Sequence, residues 1–264
     1  MNLQVSSLSI YPLKSAKGVK LTSMELGNLG PRLDRRWMLI DEKHRFITQR
    51  KHPKLCLIST RLNDEQLILG KPGADPISIP EHSSRQYNSS VWGSAVAGYD
   101  CGDTAADYIG QFLGLSCRLI FMPESFQRKV DPKFAHNDEL VGFADGFPLL
   151  ITSEASLDDF NIKLSDPIEM ERFRPNLVIS GNAPYAEDDW QRISINNIEF
   201  SLVKPCSRCI MPSVNPATGE KEMRVNEALL EYRCYNRKTY FGQNALYDQP
   251  GTICVGDEVT ILGS

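Results

Sequence analysis

Two thiols three residues apart, Cys206 and Cys209 in Lys204-Pro205-Cys206-Ser207-Arg208-Cys209, are the part of this sequence best equipped for chemistry. A thiolate is both a nucleophile and a metal ligand, and Lys204 and Arg208 supply the positive charge that suits one. Soft sulfur fits zinc, copper(I), an iron-sulfur centre or a molybdenum-dithiolene unit, and a CxxC does not choose among them. Structural zinc wants two further ligands at matched spacing, whereas Cys234 and Cys254 are isolated and no His pair accompanies them. A thioredoxin-like dithiol opens a helix, yet IMPSVNPATG follows here, with two prolines and a glycine. Two cysteines that merely pack is a weaker reading for a pair flanked by cations.

Other candidates are less specific. Lys14 and Ser15, with Lys17 and Gly18 beyond them, form a turn of small and basic residues able to meet a phosphate, though most such surface pairs bind nothing. Arg35 and Arg36 precede Trp37, and Arg172 and Arg174 precede Pro175. Beside a strand, arginine either grips a phosphate with two prongs or pairs with a carboxylate. Taken singly, each reads as structural. Asp145 is either a buried acid at a site or a turn former, and the following Gly146 favours the turn. His44, His52, His82 and His136 are scattered over polar segments, and GxGxxG, Walker A, HExxH and GxSxG motifs are absent.

The elements that must position these residues are mostly strands. Period-2 alternation through VSSLSIYPL, KLTSMEL, RRWMLID, HRFITQ, LCLISTRL, EQLILG and DPISIP predicts a β-meander or barrel over the first hundred residues. The period turns helical near Asp103 or Thr104, either of which can cap. Ala105, Ala106, Ile109, Phe112 and Leu113 then share a face, and Gly114 ends the run. The strand CRLIFM follows. The polar run from Pro123 to Glu139 has no periodicity and predicts a mobile connection or a lid with no core packing. FPLLITS predicts a strand entering a helix capped by Ser153, a junction of the kind that meets anions. NLVISG is a further strand, WQRISINNIEFSLVKP a hairpin turning at Asn196 and Asn197, and VNEALLEYR a helix. TICVGDEVTIL predicts a closing pair of strands around Gly256 and Asp257.

Composition sets limits on partners. The 264 residues suffice for one large domain or two smaller ones, and 41% hydrophobic with 23% charged residues is ordinary for a globular protein. No segment approaches the roughly 18 apolar residues of a membrane span. MNLQVSSLSIYPLKSAKG lacks the apolar stretch of a secretory signal, so the cytoplasm is the expected compartment. A net charge of −4 gives no global attraction to nucleic acid or acidic lipid, and a bound anion needs a local cluster of cations. The seven cysteines, an odd and mostly isolated set, read as reduced thiols.

Taken in order, YPLKSAKG, LDRRWMLID, FADGFPLLITSEASL, FRPNLVISG, KPCSRCIMPSVNPATGE, FGQNALY and PGTICVGDEV resemble MOSC-domain proteins preceded by the MOSC N-terminal β-barrel domain, nearly end to end. The likeness is greatest to the branch of amidoxime-reducing components and the bacterial reductases of N-hydroxylated bases. It implies a mainly β, barrel-rich chain with a few helices, divided into a MOSC N-terminal β-barrel domain over residues 1–122 and a MOSC domain over 123–264. A molybdenum-molybdopterin cofactor would lie between them. By position, Cys209 is the metal ligand and catalytic centre, and Ser207 and Arg208 contact the pterin. Lys14 and Ser15 reach the cofactor from the N-terminal domain, Arg35 is the arginine of a DRxW motif, and Arg174 and Asn176 are the contacts of FRPN. Thr152 and Ser153 lie where the strand-to-helix junction approaches the phosphate, and Asn244 stands in the FGQ segment, where relatives can carry an aromatic. The implied activity is reduction of a small N-hydroxylated or N-oxygenated compound. A separate electron-donor protein is expected, because the Cx4CxxC cluster motif of the longer bacterial relatives is absent. The family takes its name from the C-terminal domain of molybdenum-cofactor sulfurases, whose other half uses pyridoxal phosphate; no pyridoxal site is read in this chain.

A function of another class uses the same thiolate: a sulfur carrier or cofactor-delivery protein holding a persulfide on Cys206 or Cys209. It needs none of the basic positions, so their recurrence on both halves of the chain favours the enzyme.

Overall fold

Val5, Leu8 and Ile10 turn inward along the strand Gln4–Ile10, and the spacing of three between the first two records a bulge: Val5 pairs with Ile179, but Ser7 pairs with Val178. The computed structural model describes residues 2–64, 66–80 and 82–263. Within it the chain is mainly strand, with three α-helices: α1 (Asp103–Leu113), α2 (Glu154–Ile162) and α3 (Met223–Tyr232). Among the described residues no helix is long and apolar enough to cross a membrane.

The largest sheet runs in the order Val259–Gly263, Arg192–Ile195, Ile198–Arg208, Lys238–Tyr247, Leu149–Ser153, Leu177–Ser180, Gln4–Ile10 and Val19–Leu21, with Cys234–Tyr235 set against Lys238–Tyr247. Leu149–Ser153 and Leu177–Ser180 are parallel, joined by a crossover that carries α2. The first two strands of the chain, Gln4–Ile10 and Val19–Leu21, are thus built into a sheet formed otherwise by its second half. A further tie is Gly251–Cys254, which pairs with Ser23–Gly27. The rest of the first half contributes a four-stranded sheet of Trp37–Ile40, Arg118–Phe121, Ser94–Asp100 and Gln86–Val91, and a three-stranded sheet of Ser59–Asn63, Gln66–Lys71 and Ala74–Ser78. Glu65, the first residue of EQLILG, lies outside the described residues.

Separate apolar cores follow. Val5, Leu8, Ile151, Leu177, Ile193 and Phe200 fill one face of the large sheet, while Leu13, Trp37, Leu39, Leu69, Ile109 and Leu119 pack under α1. A third cluster stacks Phe173 on Phe241 at 3.8 Å and 11°. It anchors the FRPN and FGQN segments from beneath.

Several local expectations change. LCLISTRL begins as the 3-10 turn Pro53–Leu57, because proline at its first position fixes a helical φ, and becomes strand only at Ser59–Asn63. HRFITQ forms no strand: the Asp41 carboxylate accepts from the backbone N–H groups of Lys43 and Arg45 and closes a turn. α1 starts from Gly102 without a side-chain cap, since Asp103 is drawn to Arg118 at 2.6 Å, and it ends at Gly114 with φ of 68°. TICVGDEVTIL does supply two strands around Gly256 and Asp257, but they join different sheets. The run from Pro123 to Glu139 does pack a core: Val130 is buried with Val141 and Leu246, and Arg128 is held by the carbonyls of Gly142, Ala144 and Asp145. It does not line the cleft described next.

Candidate functional site

Loops from both halves of the chain meet over an open cleft at the end of the long pair Ile198–Arg208 and Lys238–Tyr247. Lys14 enters from the first half. Its backbone N–H donates to Trp37 O, and its ammonium donates to Phe143 O at 2.8 Å and to Asp145 Oδ1 at 2.5 Å. Burial lowers the Lys14 pKa, against the raising effect of Asp145. Burial also pushes on the Asp145 carboxyl, upward, but the Lys14 charge and hydrogen bond hold it well below the usual carboxylate range. Asp145 therefore belongs to the site as an ion-pair partner.

Arg35 and Arg174 share one aromatic support. Their guanidinium carbons lie 4.4 Å and 4.1 Å from the centroid of the Tyr11 ring, which is fully enclosed and whose hydroxyl donates to Pro175 O. Burial raises the Tyr11 pKa to about 12 with both arginines opposing it. Arg35 donates to Asp34 at 2.5 Å, to Asn176 Oδ1 at 3.0 Å and to Arg174 O at 3.2 Å. Arg174 donates to Ala16 O at 2.6 Å. Asn176, 1% exposed, ties the halves together: Nδ2 donates to Ser9 O, and Oδ1 also accepts from Leu150 N. Its amide is a joint as well as part of the cleft wall.

The cysteine pair is aimed by two compensating bulges. Val203 is the extra residue between Leu202 paired with Ala245 and Lys204 paired with Asn244; on the facing strand the extra residue lies between Tyr240 and Gln243. Gly242 there has φ of 77°, and a Cβ would meet Ile151 O at 2.6 Å, so no other residue fits. Past the second bulge, Arg208 donates to Cys206 Sγ at 3.0 Å and to Phe173 O at 2.7 Å, while its Nε is buried without a partner. Cys209 is exposed at the cleft, where Arg50 Nη1 approaches its sulfur at 3.8 Å. Asn244 donates to Lys204 O and also lines the cleft.

The cleft thus brings together Lys14, Ser15, Arg35, Arg174, Asn176, Ser207, Arg208, Cys209 and Asn244. It does not bring in Thr152 and Ser153, both 0% exposed. Thr152 Oγ1 contacts Met170 Sδ, and Ser153 caps α2 by accepting from Ser156 N, which spends its hydroxyl inside the protein. Arg50 and Cys206 also line the cleft; no spacing or motif around Gln49-Arg50-Lys51 sets Arg50 apart from an ordinary basic surface run.

One feature separates this cleft from an ordinary groove. Five cations, Lys14, Arg35, Arg50, Arg174 and Arg208, face one lining carboxylate, Asp145, in a chain whose net charge is −4. Ser15, Arg35 and Arg174 hold φ of 72°, 46° and 57°, a left-handed backbone that side chains other than Asn and Asp adopt at a cost of about 1 kcal/mol or more each. Ten other non-glycine residues among those described share this conformation, so here it records turns that the surrounding structure enforces.

Comparison with known proteins agrees with this geometry. Residues 2–116 match the MOSC N-terminal beta barrel domain and residues 138–260 the MOSC domain. Mitochondrial amidoxime-reducing component 1 of Mus musculus is 35% identical over 98% of this chain and 82% of its own length. Mitochondrial amidoxime reducing component 2 of Bos taurus is 34% identical over 97% and 82%. Molybdenum cofactor sulfurase of Bos taurus is 27% identical over 98% of this chain but only 32% of its own. The chain therefore belongs to the MOSC-domain family, in the group whose members carry the MOSC N-terminal β-barrel domain and include the amidoxime-reducing components.

Proposed function

We propose that the cleft holds a molybdenum-molybdopterin cofactor and that the protein reduces N-hydroxylated or N-oxygenated bases with electrons from a separate donor protein. The observation that carries this reading is the exposed Cys209 thiol among cations of which three, Arg50, Arg174 and Arg208, have no carboxylate within ion-pair distance among the described residues. Among those residues, too, no three His, Cys, Asp or Glu side chains gather to hold a bare metal ion. The donor set suits an anionic group that brings its own sulfur ligands and asks the protein for one thiolate. The unpartnered Arg208 Nε is a further donor awaiting an acceptor.

Cys209 would supply the thiolate. Lys14, Ser15, Arg35, Arg174, Ser207 and Arg208 would hold the anionic pterin and phosphate, with Asn176 fixing Arg35 and Asn244 closing the wall. Thr152 and Ser153 would act from behind, by holding the junction at the start of α2. When bound, the cofactor supplies two-electron, oxygen-accepting redox chemistry. Residues 1–122 and 123–264 would be the two parts that share it. The names of the amidoxime-reducing relatives support the reaction class. The test is protein expressed with molybdate: stoichiometric molybdenum, extractable pterin and reduction of benzamidoxime by an artificial reductant are expected. A metal-free protein carrying a titratable persulfide would overturn the reading.

A further inference from the structure

Trp92 occupies a place that a hairpin turn reserves for Asn, Asp or Gly. It links Gln86–Val91 to Ser94–Asp100 with φ of 53°, followed by Gly93 at 87°. It is also 56% exposed, so neither turn geometry nor burial accounts for a large aromatic there. Its contacts do. The Arg50 guanidinium lies 4.3 Å from its ring centroid, and Phe46 meets it edge-on at 5.5 Å. Arg50 in turn reaches Cys209 and has no ion-pair partner among the described residues. A hairpin tip from the first half of the chain therefore holds against the thiol a positive charge that, among the described residues, has no carboxylate within ion-pair distance.

We infer that Arg50 and Trp92 form a charge-reading wall on the substrate side of the cleft, admitting flat neutral N-hydroxylated groups and rejecting flat cations. This rests on the function proposed above. An N-hydroxyamidine is a far weaker base than the amidine it becomes, because the oxygen withdraws electron density from the basic nitrogen. The substrate RC(NH2)=NOH takes two electrons from the donor protein and two protons; the N–O bond breaks, water leaves, and RC(NH2)=NH remains, which binds a third proton to become a cation. Arg50 repels that product and not its precursor, so one residue favours entry of substrate and departure of product. Trp92 offers flat apolar area to a delocalised head group, and with Arg50 already over its face it offers little attraction to a second cation.

The test is equilibrium binding to the full chain of benzamidine, a cation with the product's shape, and benzamide, its neutral counterpart, by calorimetry. Arg50 is half-buried and without an ion pair, so its variants should fold, and thermal melts verify this. Arg50→Gln should tighten benzamidine binding about tenfold and Arg50→Glu further, with benzamide shifting by no more than about twofold. Arg50→Lys should behave as wild type, and high salt should shrink the contrast. Benzamidine affinity unchanged by Arg50→Glu, or binding undetectable in both proteins, would overturn the inference. Because no turnover is read, this outcome is independent of whether reductase activity is found, and an active reductase with an unchanged benzamidine-to-benzamide ratio would lose this inference alone.

Discussion

The cleft and the strand-to-helix junction at Ser153 are both polar, and they dispose of their polar groups in opposite ways. At the junction the hydrogen bonds close inward: Ser153 and Ser156 donate to the two oxygens of Glu187, Ser153 accepts from Ser156 N, and Ser156 accepts from Tyr185 N. Glu187 is 1% exposed, and burial raises its pKa against the serine hydrogen bonds. In the cleft five cations face one lining carboxylate, and Arg50, Arg174 and Arg208 have no carboxylate within ion-pair distance among the described residues. Residue type alone does not separate the two regions. The separating feature is whether the charged groups find their partners within the fold.

That contrast predicts different responses to substitution. The largest concerns Arg35, which serves both roles because it faces the cleft and neutralises Asp34, 3% exposed. Arg35→Ala should cost about 3 kcal/mol of stability at neutral pH, by leaving a buried carboxylate unpaired. Burial already raises the Asp34 pKa against the pull of Arg35, and removing Arg35 raises it further. An acid whose folded pKa lies above its unfolded value destabilises the fold above that window and not below it, so the penalty should shrink as pH falls through the carboxylate range. Denaturant melts at neutral and acidic pH check this; a penalty that grows in acid would contradict it.

Next comes Lys14→Met, a change in the cleft wall, where the side chain is itself buried. It removes a charge-assisted hydrogen bond worth about 1.5–3 kcal/mol and so should weaken retention of the anionic cofactor about ten- to hundredfold. Asp145 keeps contact with solvent, its side chain being 57% exposed, so the stability loss should come mainly from the buried Phe143 carbonyl left without its donor, about 1 kcal/mol. Pterin retained after gel filtration, beside a thermal melt, separates the two effects. Smallest is Ser153→Ala, which deletes the α2 cap and should cost about 1 kcal/mol of stability with cofactor retention unchanged. Loss of cofactor at unaltered stability would show that the junction does not belong with the inward-closed region.

Much of the local fold was legible because its signals are local. Asn196 and Asn197 turn their hairpin at φ of 49° and 62°, Gly114 ends α1, and Ser153 caps α2, each where the residue's own conformational preference points. Pairings across sequence were not legible. Nothing in the alternation of Gln4–Ile10 says that its partner is Leu177–Ser180, or that Gly251–Cys254 and Val259–Gly263 part company. The tip at Trp92 is not legible because tryptophan is no turn signal, and without it the sequence gives no sign of the aromatic support under Arg50. The candidate site residues are legible only through the resemblance of whole motifs, since an isolated lysine or arginine carries no message; Thr152 and Ser153 illustrate the limit, facing inward and away from the cleft.

The central claim is that Cys209 and Cys206, near in sequence, differ in kind: one is exposed at the cleft, while the other is half-buried and accepts a hydrogen bond from Arg208. Molybdenum content of wild-type, Cys209→Ser and Cys206→Ser proteins, each expressed with molybdate, tests it most directly. Serine is a harder and far less acidic ligand than cysteine, so Cys209→Ser should lose the metal and all reduction of an N-hydroxylated base. Cys206→Ser should keep its metal and lose at most a few kcal/mol of stability. Full molybdenum in Cys209→Ser, or equal loss in both variants, would contradict the account.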